Sequence, residues 1–163
     1  MSSAPTPADV AIRPVVPGDL DVFFRIFSDP ESVTMAGFTA EDPNDREAFD
    51  DHWAAVLASE AVTARTVLWQ GAVVGHVASF EVDGVTEVTY WVDQAVWGQG
   101  IATAALAQLL AHVTTRPVFA RAAADNAASL RVLGKCGFRP VRTERAYANA
   151  RGEETDETIL RLD

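Results

Sequence analysis

Two glycines precede an alanine- and leucine-rich run in the segment AVWGQGIATAAL, residues 95–106. The first turn of a helix carries unpaired N–H groups and the positive end of the helix dipole. Glycine at such a junction lets the backbone approach a ligand closely. Gly98 and Gly100 therefore predict an anion-binding site formed by this loop and the first turn of the helix that follows it.

Two common phosphate-binding motifs do not fit the segment. A P-loop has a lysine and a serine or threonine after its last glycine, whereas Ile101 and Ala102 follow Gly100. A dinucleotide-binding fingerprint has a third glycine where this chain has Thr103, and it lies in a parallel βαβ unit. Because closely spaced strand patterns precede the loop, an oxidoreductase with a nucleotide cofactor is the less favoured interpretation.

Hydrophobic periodicity predicts the elements that position this loop. Strands are expected at 10–15, 63–70, 73–82, 85–93, 117–123, 138–147 and 155–162, helices at 17–27, 44–60, 100–114 and 125–137, and a loop at 28–43. The short connections QGA and DGV favour antiparallel hairpins, and the helix that follows the glycines favours one crossover. The predicted order is β-α-α-β-β-β-α-β-α-β-β, a single-domain α/β fold with one mixed sheet and helices on both faces.

Length and composition predict one globular domain, residues 10–163, behind a flexible tail at residues 1–9. The tail lacks an apolar signal segment, no apolar run is long enough to cross a bilayer, and the one cysteine, Cys136, fits a reducing compartment. We therefore expect a cytoplasmic protein that does not bind membranes. The net charge of −10 argues against nucleic-acid binding and would attract cationic partners such as amines.

Two segments carry a family resemblance that covers nearly the whole chain. The run YWV…VWGQGIAT, within residues 90–103, resembles motif A of the GNAT superfamily of acyl-CoA-dependent N-acetyltransferases. The run DNAASLRVLGKCGF, residues 125–138, is similar to that family's second block. The predicted element order is also the family's. Trp97 stands where the family pattern has Gln or Arg, as in the branch related to ribosomal-protein N-terminal acetyltransferases, which this chain resembles.

The resemblance implies that acetyl-CoA is the co-substrate. Motif A would bind the CoA pyrophosphate through residues Trp97, Gly98, Gln99, Gly100, Ile101, Ala102 and Thr103. The backbone of Tyr90, Trp91 and Val92 would pair with the pantetheine arm. In the second block, Asn126 would contact pantetheine, Arg131 would reach toward the 3′-phosphate, and Ser129 would lie near the thiol.

Acetyl transfer requires an amine that loses a proton, a stabilised oxyanion and a protonated thiolate leaving group. The tyrosine that serves as the acid in many relatives corresponds to Leu133, so Ser129 is the candidate proton donor. The glutamate base of alanine-acetylating relatives corresponds to Arg121. Glu87 is therefore the first candidate base and Tyr90 an auxiliary one, on opposite faces of their strand by alternation.

The resulting hypothesis is an N-acetyltransferase that acetylates a peptide N-terminus or a small cationic amine by direct attack. The alternative is an acyl-CoA-binding sensor or scaffold without turnover. His76 either lines the acceptor slot or is structural, and the three histidines lack metal-ligand spacing, so no metal is expected. A homodimer is left open by the sequence.

Overall fold

The computed structural model describes residues 9–37, 39 and 41–163. In chain order its elements are β1 (Val10–Pro14), α1 (Asp19–Phe27), α2 (Pro30–Ala36), α3 (Arg46–Ala58), β2 (Val62–Trp69), β3 (Ala72–Val82), β4 (Val85–Val92), a 3-10 turn (Gln94–Val96), α4 (Ile101–His112), β5 (Val118–Ala123), α5 (Ala127–Lys135), β6 (Arg139–Ala148) and β7 (Glu153–Leu162). The tail predicted at residues 1–9 lies outside the described residues, except for Asp9. None of the helices in the described ranges is long and apolar enough to span a membrane.

The seven strands form one sheet in the order β1-β2-β3-β4-β5-β7-β6. β1 to β4 form an antiparallel meander, β5 pairs with β7 and β7 with β6 in antiparallel fashion, and β4 and β5 are parallel. The α/β class and the mixed sheet that the sequence predicted are therefore confirmed.

Helices cover both faces of the sheet, as predicted. On one face α4 and α5 close the larger core, whose fully buried members include Val67, Val77, Leu106, Leu109, Val118 and Leu133. On the other face α1 and α3 close a smaller, largely aromatic core around Phe23 and Trp53, packed on Ala64 and Ala78 of the sheet. Burial of these apolar side chains fixes both helical layers on the sheet.

The prediction of a continuous loop at 28–43 was wrong, because α2 occupies part of that range. The Asp29 side chain accepts a hydrogen bond from the N–H of Ser32 at 3.0 Å, and Pro30 takes the first helical position. Gly37, with φ of +73°, ends the helix. Seven residues are too few to show clear helical periodicity, so only the Asp-Pro start signal could have predicted this helix. The observed order is β-α-α-α-β-β-β-α-β-α-β-β.

β4 and β5 separate soon after they meet, which opens a gap in the middle of the sheet. The two strands pair only through Thr86 with Val118 and Glu87 with Phe119. On its other edge β4 remains paired with β3 along its whole length. From Val88 onward, β4 therefore presents an edge that β5 does not cover.

Candidate active site

One cavity of about 520 Å³ lies at this gap between β4 and β5. Its walls come from α2, β3, β4, the loop before α4, the first turn of α4, β5, α5 and β7. The cavity is lined by all but one of the residues that the sequence predicted for the site: Glu87, Tyr90, Trp91, Val92, Trp97, Gly98, Gly100, Ile101, Ala102, Thr103, Asn126, Ser129 and Arg131. Gln99 is the one member of that set outside the lining. A volume of this size is typical of small-molecule sites.

The uncovered edge of β4 offers hydrogen-bonding groups to this cavity. The β3–β4 turn contains two residues, so Val85 and every second residue after it hydrogen-bond to β3. Val88, Tyr90 and Val92 therefore direct their main-chain N–H and C=O groups toward the gap. The Val92 oxygen accepts a hydrogen bond from the indole Nε1 of Trp97 at 2.8 Å. Trp97 thus ties the loop before α4 to the end of the free edge.

The close approach of β3 to the same end of β4 requires a glycine. A Cβ built at Gly75 would lie 2.0 Å from the backbone oxygen of Trp91, so no larger residue fits without a backbone shift. The β2–β3 register also changes next to this point. Such an irregularity bends a strand and locally disrupts the hydrogen-bond ladder. Gly75 therefore helps to set the course of β4 where it lines the cavity.

The glycine loop forms the anion-binding end of the cavity. Gly98 and Gly100 have φ of +78° and +80°, and the space that a Cβ would occupy at either residue is open to 4 Å. No side chain caps α4, and its first backbone bond runs from the N–H of Ala104 to the oxygen of Gly100. The amides of the first turn of α4 therefore lack intrahelical partners and lie where Gly98 and Gly100 leave room for a phosphate.

Ser129 and Tyr90 meet between the two ends of the cavity. The Asn126 side chain caps α5 and accepts a hydrogen bond from the N–H of Ser129 at 3.2 Å. The Ser129 Oγ lies 2.6 Å from the Tyr90 Oη, and either hydroxyl can donate. Burial raises the pKa of Tyr90 to about 12, so its phenol is protonated at neutral pH. The sequence did not predict this pair of hydroxyls, because the two residues are 39 positions apart.

Glu87 lies in an ion-paired cluster at the other side of the gap. Its carboxylate accepts a hydrogen bond from Arg121 Nε at 3.1 Å. Arg121 Nη1 also donates to Glu144 at 3.0 Å and to Glu157 at 3.3 Å. The carboxylates of Glu87 and Glu157 are mostly buried, with 14% and 12% of their side chains exposed. The guanidinium therefore engages the carboxylate that the sequence offered as a base.

His76 and Cys136 lie outside the cavity lining. His76 is buried, makes ring contacts with Phe23, Phe27 and Trp53, and its Nδ1 has no hydrogen-bond partner in the described part of the chain. Burial lowers its pKa to about 3, so the ring is neutral at physiological pH. The Cys136 thiol is partly buried, and burial raises its pKa. Both side chains therefore pack inside the fold, away from the cavity.

Several residues of the cavity were not predicted from the sequence. They include Ser32, Met35 and Ala36 from α2, Phe80 and Glu157 from the strands, and Lys135 from α5. The α2 residues were missed with the helix itself, and the strand residues depend on a register that spacing alone does not give. In the described ranges, no group of three or more His, Cys, Asp or Glu side chains is placed to hold a metal ion.

A family model described as an acetyltransferase (GNAT) domain matches residues 9–139. No curated protein matches the sequence significantly. Mycobacterium smegmatis RimJ, solved in complex with CoA-disulfide, is similar to the chain with 24% identity and a TM-score of 0.77, over 94% of this chain and 81% of that one.

Two other solved structures share the fold. The spermidine N-acetyltransferase from Vibrio cholerae, solved with CoA and spermine, has 15% identity and a TM-score of 0.77 over 95% of each chain. A phosphinothricin acetyltransferase from Sinorhizobium meliloti, solved with AcCoA, has 19% identity and a TM-score of 0.79 over 94% of this chain and 88% of that one. At these identities the likeness concerns the fold.

Proposed function

The chain belongs to the GNAT family of acetyltransferases, and from that premise we propose that it transfers the acetyl group of acetyl-CoA to a peptide N-terminus or a small cationic amine. One observation carries the proposal. A single cavity joins an uncovered strand edge to an uncapped helix N-terminus. An extended amide-containing arm attached to a pyrophosphate needs these two features side by side.

The residues present fit acetyl-CoA along the length of the cavity. The amides after Gly98 and Gly100 would hold the pyrophosphate. The free main-chain groups of Tyr90 and the N–H of Val92, whose oxygen binds Trp97, would pair with the pantetheine arm. Arg131 lines the cavity from α5 and offers a cation to a terminal phosphate. When bound, acetyl-CoA supplies a thioester carbonyl that an amine can attack. The structural relatives solved with CoA or acetyl-CoA support this assignment.

Ser129 and Tyr90 are the proposed source of the proton for the thiolate. The buried phenol of Tyr90 keeps its proton at neutral pH and can hydrogen-bond Ser129, so a proton lost by the serine can be replaced along the 2.6 Å contact. Because burial raises the pKa of Tyr90 to about 12, its phenolate is scarce at neutral pH, which argues against the auxiliary base role expected from the sequence. The peptide N–H of Ser129, held by Asn126, keeps the hydroxyl in place.

The acceptor end carries more negative than positive charge. Glu87 and Glu157 line it, and Arg121 is shared among three carboxylates. A cationic amine is therefore attracted to this end, whereas an acceptor rich in carboxylates is repelled. Glu87 is the proposed base. It can take a proton from the acceptor, directly or through water, once an ammonium competes with Arg121 for its oxygens.

A sensor or scaffold without turnover is the second candidate. The two carboxylates that line the cavity, Glu87 and Glu157, both accept hydrogen bonds from Arg121. This favours the second candidate, because a carboxylate held by a guanidinium is less able to act as a base. Incubation with acetyl-CoA and a panel of amines separates the two. The panel contains peptide N-termini, polyamines and aminosugars, and free thiol is measured. Thiol release that depends on the added amine supports the enzyme. CoA binding without release on any amine supports the sensor.

A further inference from the structure

Arg151, in the turn between β6 and β7, joins two segments that carry walls of the cavity. Its Nη1 and Nη2 donate to the two carboxylate oxygens of Asp125 at 2.7 and 2.9 Å. Its Nε and Nη2 also donate to the backbone oxygens of Thr34 at 3.1 Å and Met35 at 3.2 Å. Only 16% of the Arg151 side chain is exposed. One guanidinium therefore holds the C-terminal end of α2 to the loop before α5.

The chain around this guanidinium is shaped to accept it. A Cβ at Gly37 would lie 3.3 Å from Arg151 Nε, and Gly37 has φ of +73°, so a larger residue there is both crowded and strained. The N–H of Ala150 donates to the oxygen of Gly37 at 3.1 Å, and the Asn149 amide donates to the oxygen of Thr39 at 2.9 Å. The β6–β7 turn is therefore also bound to Gly37 by a backbone hydrogen bond and to Thr39 by a side-chain hydrogen bond.

Both joined segments contribute to the site. Met35 and Ala36 line the cavity from α2. Asn126 follows Asp125, caps α5 and accepts the N–H of Ser129. The distance between α2 and Asp125 therefore sets the space between the α2 wall and the Ser129 hydroxyl. Arg151 does not line this cavity itself, so it acts through the two segments that it holds.

We propose that Arg151 is a positioning residue that sets the width of the acceptor entrance and thereby selects acceptors by size. The proposal rests on the proposed acetyltransferase function, because it treats the α2 side of the cavity as the place where the amine enters. An entrance whose width is fixed by an ion pair and two hydrogen bonds to backbone oxygens discriminates between a slender and a branched amine. Loss of the Arg151 contacts releases α2, which widens the entrance and weakens the binding of a small acceptor.

Three variants test the proposal: R151A, R151K, and R145A as a matched control. Arg145 lies in the same hairpin and pairs with Glu154 and Asp156, outside the cavity lining. With the best amine of the panel, R151A is expected to raise the acceptor KM about tenfold or more, a typical scale for a misplaced substrate. Its Kd for CoA stays within about twofold of the wild-type value, in the range that additive, independent sites show. R151K is expected to be intermediate, because lysine cannot donate to all four oxygens at once.

The preference for one acceptor size over another is a measurement that a general loss of stability does not change. R151A is expected to reduce the preference for a linear over a branched amine, whereas R145A keeps it. An R151A enzyme with the acceptor KM and the size preference of R145A overturns the proposal, and so does an R151A protein that loses CoA affinity.

Amide hydrogen exchange of residues 30–37 needs no acceptor. Faster exchange in R151A than in R145A supports the proposal, and equal exchange overturns it. A wild-type protein that binds CoA but acetylates no amine would instead refute the proposed function.

Discussion

The hydroxyls of Ser129 and Tyr90 lie 2.6 Å apart and share one short hydrogen bond, which is the side-chain contact most important to the proposed chemistry. Ser129 alone would be an ordinary helical hydroxyl in the first turn of α5. With a buried phenol beside it, the serine can give up a proton and receive another. In the proposed mechanism, Tyr90 on β4 supplies a phenol to this chain, which has Leu133 at the position of the tyrosine implied by the family resemblance.

Replacement of Ser129 by alanine tests this role. Ser129→Ala is expected to lower kcat by about 10- to 1,000-fold, which is the lower part of the roughly 10²- to 10⁴-fold that one positioned proton donor contributes, and below it. The Kd for CoA should change little, since the backbone cap by Asn126 remains. Steady-state kinetics and calorimetry on the same preparation measure the two quantities. A Ser129→Ala enzyme that turns over at the wild-type rate would assign the proton to solvent.

At the scale of elements, the site depends on how β4 ends. β5 leaves β4 after Glu87, Gly75 lets β3 approach the Trp91 carbonyl, and Trp97 binds the Val92 oxygen. Together these contacts give the free edge a defined end next to the glycine loop. The tryptophan at the Gln/Arg position of motif A therefore has a physical role in this chain. It anchors the loop to the strand by a hydrogen bond instead of offering a charge to the phosphates.

Trp97→Phe removes the indole donor and keeps most of the aromatic surface. One hydrogen bond contributes about 1 kcal/mol net, so we expect the Kd for CoA to rise about fivefold. Trp69→Phe is the matched control, because the buried Nε1 of Trp69 has no partner in the described chain and Trp69 is outside the cavity lining. Equal CoA affinities in the two variants would remove the role assigned to Trp97.

At the scale of the whole molecule, Asp19 links the first strand, the first helix and the sheet. It is buried and accepts hydrogen bonds from Arg13 at 2.7 and 2.9 Å, from the N–H of Val16 at 2.9 Å and from Thr66 Oγ1 at 2.7 Å. These partners, Arg13 above all, lower the pKa of Asp19 to about 2 from an ordinary value of 3.8. The carboxylate therefore favours the folded state wherever it is ionised.

This pKa predicts how stability changes in acid. Above about pH 4 the contribution of Asp19 is complete, and it is lost as the pH falls through about 2, where the folded carboxylate takes up a proton. On the order of 2 kcal/mol of unfolding free energy should disappear over that range. Asp19→Asn should lower stability at pH 7 and flatten the acid dependence in denaturant titrations. Asp21→Asn, which removes an exposed carboxylate of the same helix that pairs with Arg46, is the control and should lower stability at pH 7 less than Asp19→Asn does.

The sequence predicted most of the fold because its strong signals are local. The glycine loop, the capped helix after Asn126 and the two-residue β3–β4 turn each follow from a few neighbouring residues. The features that the sequence did not predict are a very short helix and contacts between distant segments. α2 is too short to show a period, and the meeting of Tyr90 with Ser129 requires a sheet register and a helix placement that spacing does not specify. The ion pair of Arg121 with Glu87 is of the same kind.

CoA binding by the wild-type protein and by Gly100→Asp tests the central claim most directly. A carboxylate at residue 100 would stand beside the pyrophosphate and repel it. Gly71→Asp is the matched control, because Gly71 has a similar φ of +83° and equal open space but lies in the β2–β3 turn, away from the cavity. Calorimetric titration should show CoA binding by the wild type and by Gly71→Asp. In folded Gly100→Asp the Kd for CoA should rise well over tenfold, which corresponds to a loss of more than about 1.4 kcal/mol of binding free energy. Equal CoA affinity in all three proteins would contradict the claim that the glycine loop holds the cofactor.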